Sequence, residues 1–116
     1  MPSFVTVGAL SAALAVALGA FGAHGLKHLP ADRLGWWDTG SRYHLAMALA
    51  TVIFGVIRLH KPGSPLAALL FSLGTLLFSG SLYAMALGAP RWLGAITPLG
   101  GLSMIAGLVA LAFSVR

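Results

Sequence analysis

The sequence predicts an all-α fold: a bundle of four membrane-spanning helices, with an interfacial helical segment ahead of the second span. Three observations carry that prediction. First, 59% of the 116 residues are hydrophobic and only 8% are charged, against about 25% charged in ordinary soluble domains. So few charges cannot clothe a soluble domain in water, whereas lipid tolerates an apolar exterior. Second, the seven basic residues (Lys27, Arg33, Arg42, Arg58, Lys61, Arg91 and Arg116) are scattered singly at the ends of apolar stretches, where cations meet headgroups. Third, four stretches meet or approach the roughly 20 apolar residues that a spanning helix needs.

The spans fall at about 4–22, 43–58, 66–88 and 92–115. The first carries no charge. Gly19 and Ala20 resemble a signal-peptide cleavage site, but no basic region precedes the apolar run, so a retained span is expected. The second, between Arg42 and Arg58, is short and should thin the bilayer or snorkel at its ends. Before it, residues 24–41 read HGLKHLPADRLGWWDTGS. Pro30 can start a helix, and Trp36 and Trp37 are interface residues, so this segment reads as an interfacial helix leading into, or continuous with, the second span. KPGSP at 61–65 is a tight turn. GAPR at 88–91 joins spans three and four, and Pro98 lies in the first turns of the fourth, where a missing N–H is tolerated. A single integral membrane domain over 1–116 is expected, with the lipid bilayer as its first partner.

Lipid offers no hydrophobic drive for helices to associate, so close packing depends on small residues. In the first span, Gly8, Ala12, Ala15, Gly19 and Gly22 follow steps of three and four; in the fourth, Gly100, Ser103, Gly107, Ala110 and Ser114 do the same. Such steps share one helix face. The second span aligns His44, Ala48, Thr51, Gly55 and Arg58, and the third Gly80, Ala84 and Gly88. Gly8, Gly19, Gly22, Gly80, Gly100 and Gly107 are therefore the expected helix-packing positions.

Several function classes are disfavoured. Without cysteine there are no disulfides, thiolate metal ligands or Cys nucleophiles. No acidic residue lies in any span, which argues against proton-coupled transport and against paired-carboxylate catalysis. The net charge of +5 comes without a basic run or interleaved aromatics, so nucleic acid is not an expected partner. Ser79 and Ser81 have no base at their depth, so no catalytic residue is assigned. Polar groups gather in one layer, His24, Asp38, Arg42, Tyr43 and His44, with Ser79 and Tyr83 from the third span. This layer either satisfies helix ends or binds a headgroup, a quinone carbonyl or an ion. Asp38 and Arg42, four apart on a helix, can pair. His24, His28, His44 and Asp38 have no diagnostic metal spacing, and His60 lies at the opposite face. No metal or cofactor is expected.

Four stretches together, ALGAFGAHGLK at 17–27, WDTGSRYH at 37–44, LGTLLFSGSLY at 73–83 and ITPLGG at 96–101, resemble the domain of unknown function 423 family, the YgdD-like small bacterial membrane proteins. The resemblance implies a four-helix protein of the bacterial cytoplasmic (inner) membrane, with both termini leaning to the cytoplasmic side. Arg58, Lys61 and Arg116 on one face against Lys27, Arg33, Arg42 and Arg91 on the other do not decide that orientation. The resemblance implies no activity. It also brings a departure: the family's Gln after the motif Tyr is His44 here, and its His three residues further on is Met47. The functional expectation is a structural or accessory membrane component without catalysis, in a homo-oligomer or larger complex; the alternative is a binder or carrier of a small amphiphile or ion through the layer near residues 24–44.

Overall fold

A computed structural model describes residues 3–114, so the end of the expected fourth span at Val115, and Arg116, lie outside the described residues. Four helices follow in order, α1 (Phe4–Gly25), α2 (Ala31–His60), α3 (Leu66–Ala86) and α4 (Thr97–Ser114), with a 3₁₀ turn at Arg91–Ala95 before α4. Each of the four is long and apolar enough to cross a membrane, counting that turn with α4.

The local chemistry sets the helix ends. Ser3 caps α1 by accepting from the Thr6 N–H at 3.2 Å, which satisfies one of the free donors at a helix start. Pro30 precedes α2, its ring preset for the first helical turn. The Ser64 hydroxyl accepts from the Leu66 N–H at the start of α3. Gly88, with φ of +111°, ends α3: its N–H donates to the Met85 carbonyl and the Ala89 N–H to Ala84. This pair of bonds requires a left-handed residue that a side chain would strain.

The second span differs from the expected 43–58. α2 runs unbroken for 30 residues from Ala31, about 45 Å at helical rise, which exceeds the apolar thickness of a bilayer of about 30 Å. Hydropathy stops at Arg42 because charge marks depth, but charge does not end a helix and no proline lies between Ala31 and His60. The interfacial segment and the span are thus one rod, and nothing needs to thin the bilayer. The fourth span, expected from Trp92, opens instead as the 3₁₀ turn Arg91–Ala95, and its α-helix starts at Thr97.

The helices pack in chain order: α1 on α2, α2 on α3, and α3 on α4, while α1 makes no extended contact with α3 or α4. The main apolar core lies among α2, α3 and α4, around Met47, Ala50, Phe54, Ala67, Ala68, Phe71 and Met104. At one end, the Phe4 ring meets Phe54 at 5.8 Å and the Arg58 guanidinium sits 5.2 Å over Phe4 while donating to the Gly63 carbonyl. At the other, Asp32 pairs with Arg91 at 3.3 Å, and Arg91 lies 5.3 Å over the Trp36 ring. That contact ties the start of α2 to the turn before α4.

Glycine sets the seams. A Cβ at Gly8 would fall within 2.8 Å of the Ala48 carbonyl and the Val52 N, and one at Gly55 within 2.6 Å of the Val5 N, so α1 and α2 meet backbone to backbone. Gly22 lies under the Trp37 ring, with no room for a Cβ. Between α3 and α4, a Cβ at Gly74 would fall 2.9 Å from the Gly100 carbonyl, Gly100 sits directly against the Phe78 backbone, and a Cβ at Gly107 would fall 2.8 Å from the Phe71 ring. Gly19 is looser, with Ser41 at 3.6 Å. Gly80 departs from the expected packing role: nothing lies within 4 Å of a Cβ placed there. Its side of α3 looks onto the space that α1 does not close.

Candidate functional site

That space is a cleft of about 440 Å³ walled by α1 and α3 and floored by α2. Val7 to Leu18 form one wall, Phe71 to Tyr83 the other, and His44, Met47, Ala48 and Thr51 the floor. Its mouth faces outward, since the lining residues Leu14 and Leu76 are 53% and 72% exposed. The walls are mostly aliphatic, as expected of a ligand site in which a few polar groups fix orientation.

The polar groups converge on His44, which is buried at 6% exposure. Its Nε2 lies 3.0 Å from the Ser11 hydroxyl of α1 and its Nδ1 lies 3.0 Å from the Tyr83 hydroxyl of α3. One imidazole thus bridges three helices. Beside it, the fully buried Ser79 donates to the Gly40 carbonyl at 2.7 Å, tying α3 to α2. The Trp37 indole stacks at 4.7 Å on Tyr83 and donates to the Leu18 carbonyl at 2.6 Å. It reaches that carbonyl because Gly22, one turn on, has no side chain in the way, and a helical carbonyl keeps a second lone pair for such a donor. Thr51 and Thr75 donate back to Met47 and Phe71, one turn earlier in their own helices.

The expected polar layer divides. His44, Ser79 and Tyr83 come together. His24 is exposed in the last turn of α1 and takes no part in the network. Asp38 and Arg42 form the i,i+4 pair at 3.3 Å, but on the outer face of α2, with side chains 67% and 71% exposed. Tyr43 also points outward and sets its ring against Phe78 at 5.0 Å. Residues 38, 42 and 43 sit at the right height but on the wrong side of the rod.

Sequence reasoning passed over Ser11, Trp37, Thr75 and the cleft itself. Ser11 carried a signal, since it is the one hydroxyl in the middle of the first span and lies three residues after Gly8 on the seam side. Met47, standing where the resemblance leads one to expect a histidine, lines the same cleft as His44. The three-residue displacement therefore keeps the imidazole on that face. Among the described residues, no three His, Asp or Glu side chains group to hold a metal.

The chain was compared with known proteins. A family model described as "Protein of unknown function (DUF423)" matches residues 18–101. The chain is 47% identical over 110 residues to the UPF0382 membrane protein YwdK of Bacillus subtilis, covering 90% of this chain and 89% of that one. It is 42% identical over 113 residues to a UPF0382 membrane protein of Haemophilus influenzae, covering 95% and 90%. It is 41% identical over 102 residues to the UPF0382 inner membrane protein YgdD of Escherichia coli, covering 85% and 78%. No solved structure matches it.

Proposed function

The chain belongs to the DUF423 family of membrane proteins, and we propose that it is a non-catalytic accessory component that holds another membrane constituent in the cleft between α1 and α3. One observation carries this reading. The α1–α2 and α3–α4 interfaces close on glycine, yet the space between α1 and α3 stays open and receives the polar bridge Ser11–His44–Tyr83. A structural bundle has no need of such an opening. The non-catalytic reading draws its support from the same bridge. Both His44 nitrogens are engaged with hydroxyls, and no carboxylate lines the cleft to orient the imidazole as a base.

In this reading the protein sits in the cytoplasmic membrane with both termini on the cytoplasmic side, alone or in a homo-oligomer or larger assembly. Reporter fusions at the C-terminus test the orientation. The binding role is tested by affinity purification in mild detergent, followed by native mass spectrometry. The expected result is a lipid, quinone or polypeptide that stays with the chain and is lost when the cleft is filled. A bare monomer from every mild extraction contradicts it.

A further inference from the structure

The bridge in the cleft carries one more proton than it can use. Neutral histidine has one N–H and one bare ring nitrogen, and each hydroxyl brings one proton. Ser11, His44 and Tyr83 together hold three polar protons but make two hydrogen bonds. With the proton on Nδ1, the imidazole donates to Tyr83 and accepts from Ser11, and the Tyr83 O–H is left over. With the proton on Nε2, the roles exchange and the Ser11 O–H is left over. Charging the ring leaves both over. Neither hydroxyl has another hydrogen-bond partner among the described residues. Such a donor inside a membrane has no water to turn to, and leaving it unmet is costly.

Position and shape narrow what meets it. His44 lies two residues past the charged Arg42, and Tyr83 three residues before the end of α3 at Ala86. The bridge joins these two residues to Ser11 in the middle of α1, about two turns of α2 beyond Trp37, so it lies within the membrane-spanning length. The cleft extends along α3 from Tyr83 to Phe71 and along α1 from Leu18 to Val7, about 16–18 Å at helical rise. It is thus a narrow apolar groove with one spare hydrogen-bond donor inside it.

We infer that the cleft binds an amphiphile carrying a carbonyl acceptor on a single long apolar chain, the carbonyl taking the spare proton of the Ser11–His44–Tyr83 bridge and the chain lying along Gly80. This rests on the binding role proposed above and names the class of its occupant. The acceptor is either the ester of an acyl lipid or the ring carbonyl of a prenylated quinone. The cleft holds no cationic side chain, so the headgroup charge of the ligand is not what is read.

The test uses the full chain in detergent micelles, with native mass spectrometry counting retained ligand. The probes are the single-chain ester lipid oleoyl lysophosphatidylglycerol, its ether-linked counterpart without a carbonyl, and decylubiquinone. The expected result is retention of the ester lipid or of the quinone about tenfold better than the ether lipid, the contribution of one hydrogen bond to a neutral acceptor; the better-retained probe identifies the source. Either hydroxyl variant alone removes one proton and one bond together and leaves a donor to spare, so the test is the triple variant Ser11→Ala, His44→Phe, Tyr83→Phe, which removes every donor of the bridge and brings the preference down to about one. Gly80→Leu, at a position with open space around its Cβ, loses all three probes while keeping its helical circular dichroism. Equal retention of ester and ether lipids overturns the inference, as does a preference that survives the triple variant or a Gly80→Leu chain that still binds. If no probe is retained, the carbonyl class is wrong; a polypeptide then found at the cleft leaves the broader binding role standing, and an empty cleft in every extraction removes both. Should the triple variant fail to fold, the ester-against-ether comparison on the unmodified chain still decides.

Discussion

Gly100 and Gly80 lie on facing helices, and each belongs to a run of small residues along one helix face, yet they have opposite surroundings. Gly100 is pressed against the Phe78 backbone, and Gly80 faces nothing within 4 Å. The first lets two helices touch; the second leaves a wall bare. In a bilayer, small residues are the ordinary means of bringing helices together; in the function proposed above, a small residue opposite no helix is where the bound constituent lies. The same contrast separates the two kinds of polar group. Ser103 donates to the Leu70 carbonyl across the closed α3–α4 seam at 2.8 Å, whereas the hydroxyls of the open cleft form a bridge with a proton to spare.

The contrast can be broken at either end. The largest effect is expected at the closed seams. Gly100→Leu has to displace backbone, a change beyond the roughly 1–3 kcal/mol typical of overpacking, and should leave no monodisperse protein in size-exclusion chromatography. Gly8→Leu, against the Ala48 carbonyl, should do the same; recovery of either variant as a stable bundle would mean that the seams are slack. Smaller is the loss of the bridge. His44→Ala removes two interhelical hydrogen bonds, each about 0.6 and at most about 1.7 kcal/mol inside a membrane, and should lower the thermal midpoint while the helix content stays constant. Smaller again is Gly80→Ala. With open space at the Cβ and a gain in helix propensity of up to about 1 kcal/mol, it should be neutral or slightly stabilising, and a clear drop in midpoint would place Gly80 in a contact after all. The smallest belongs to the exposed pair Asp32–Arg91. Asp32→Asn should cost about 0–1 kcal/mol and less at high salt.

Much of the architecture was legible because it depends on each helix alone. Apolar length marks four spans, and steps of three and four mark the faces of Gly8 to Gly22 and of Gly100 to Gly107. Periodicity describes the direction of a side chain around its own axis; it is silent on which helix stands opposite. Gly80 fits its pattern as well as Gly100 does, and only the placement of α1 separates them. His44 illustrates the same limit from the other side. Its partners lie 33 and 39 residues away, and its neighbours in sequence, Asp38, Arg42 and Tyr43, turn outward although they share its depth. Grouping residues by membrane height gathered the right layer and mixed its two faces. The continuity of α2 was left as one of two readings for a related reason, because hydropathy reports where lipid ends and a helix of charged and aromatic residues continues past that point.

The account rests most directly on the cleft being open to, and selective for, a membrane constituent. The chain has no cysteine, so a single Gly80→Cys carrying a benzophenone maleimide reports on that space in native membranes, with Leu102→Cys on the exposed face of α4 as the control. Photolysis followed by mass spectrometry should give, at position 80, a narrow set of adducts dominated by one carbonyl-bearing amphiphile, and at position 102 the mixed lipid profile of the bulk bilayer. An identical profile at both positions, or a crosslink from position 80 to α1 of the same chain, would contradict it.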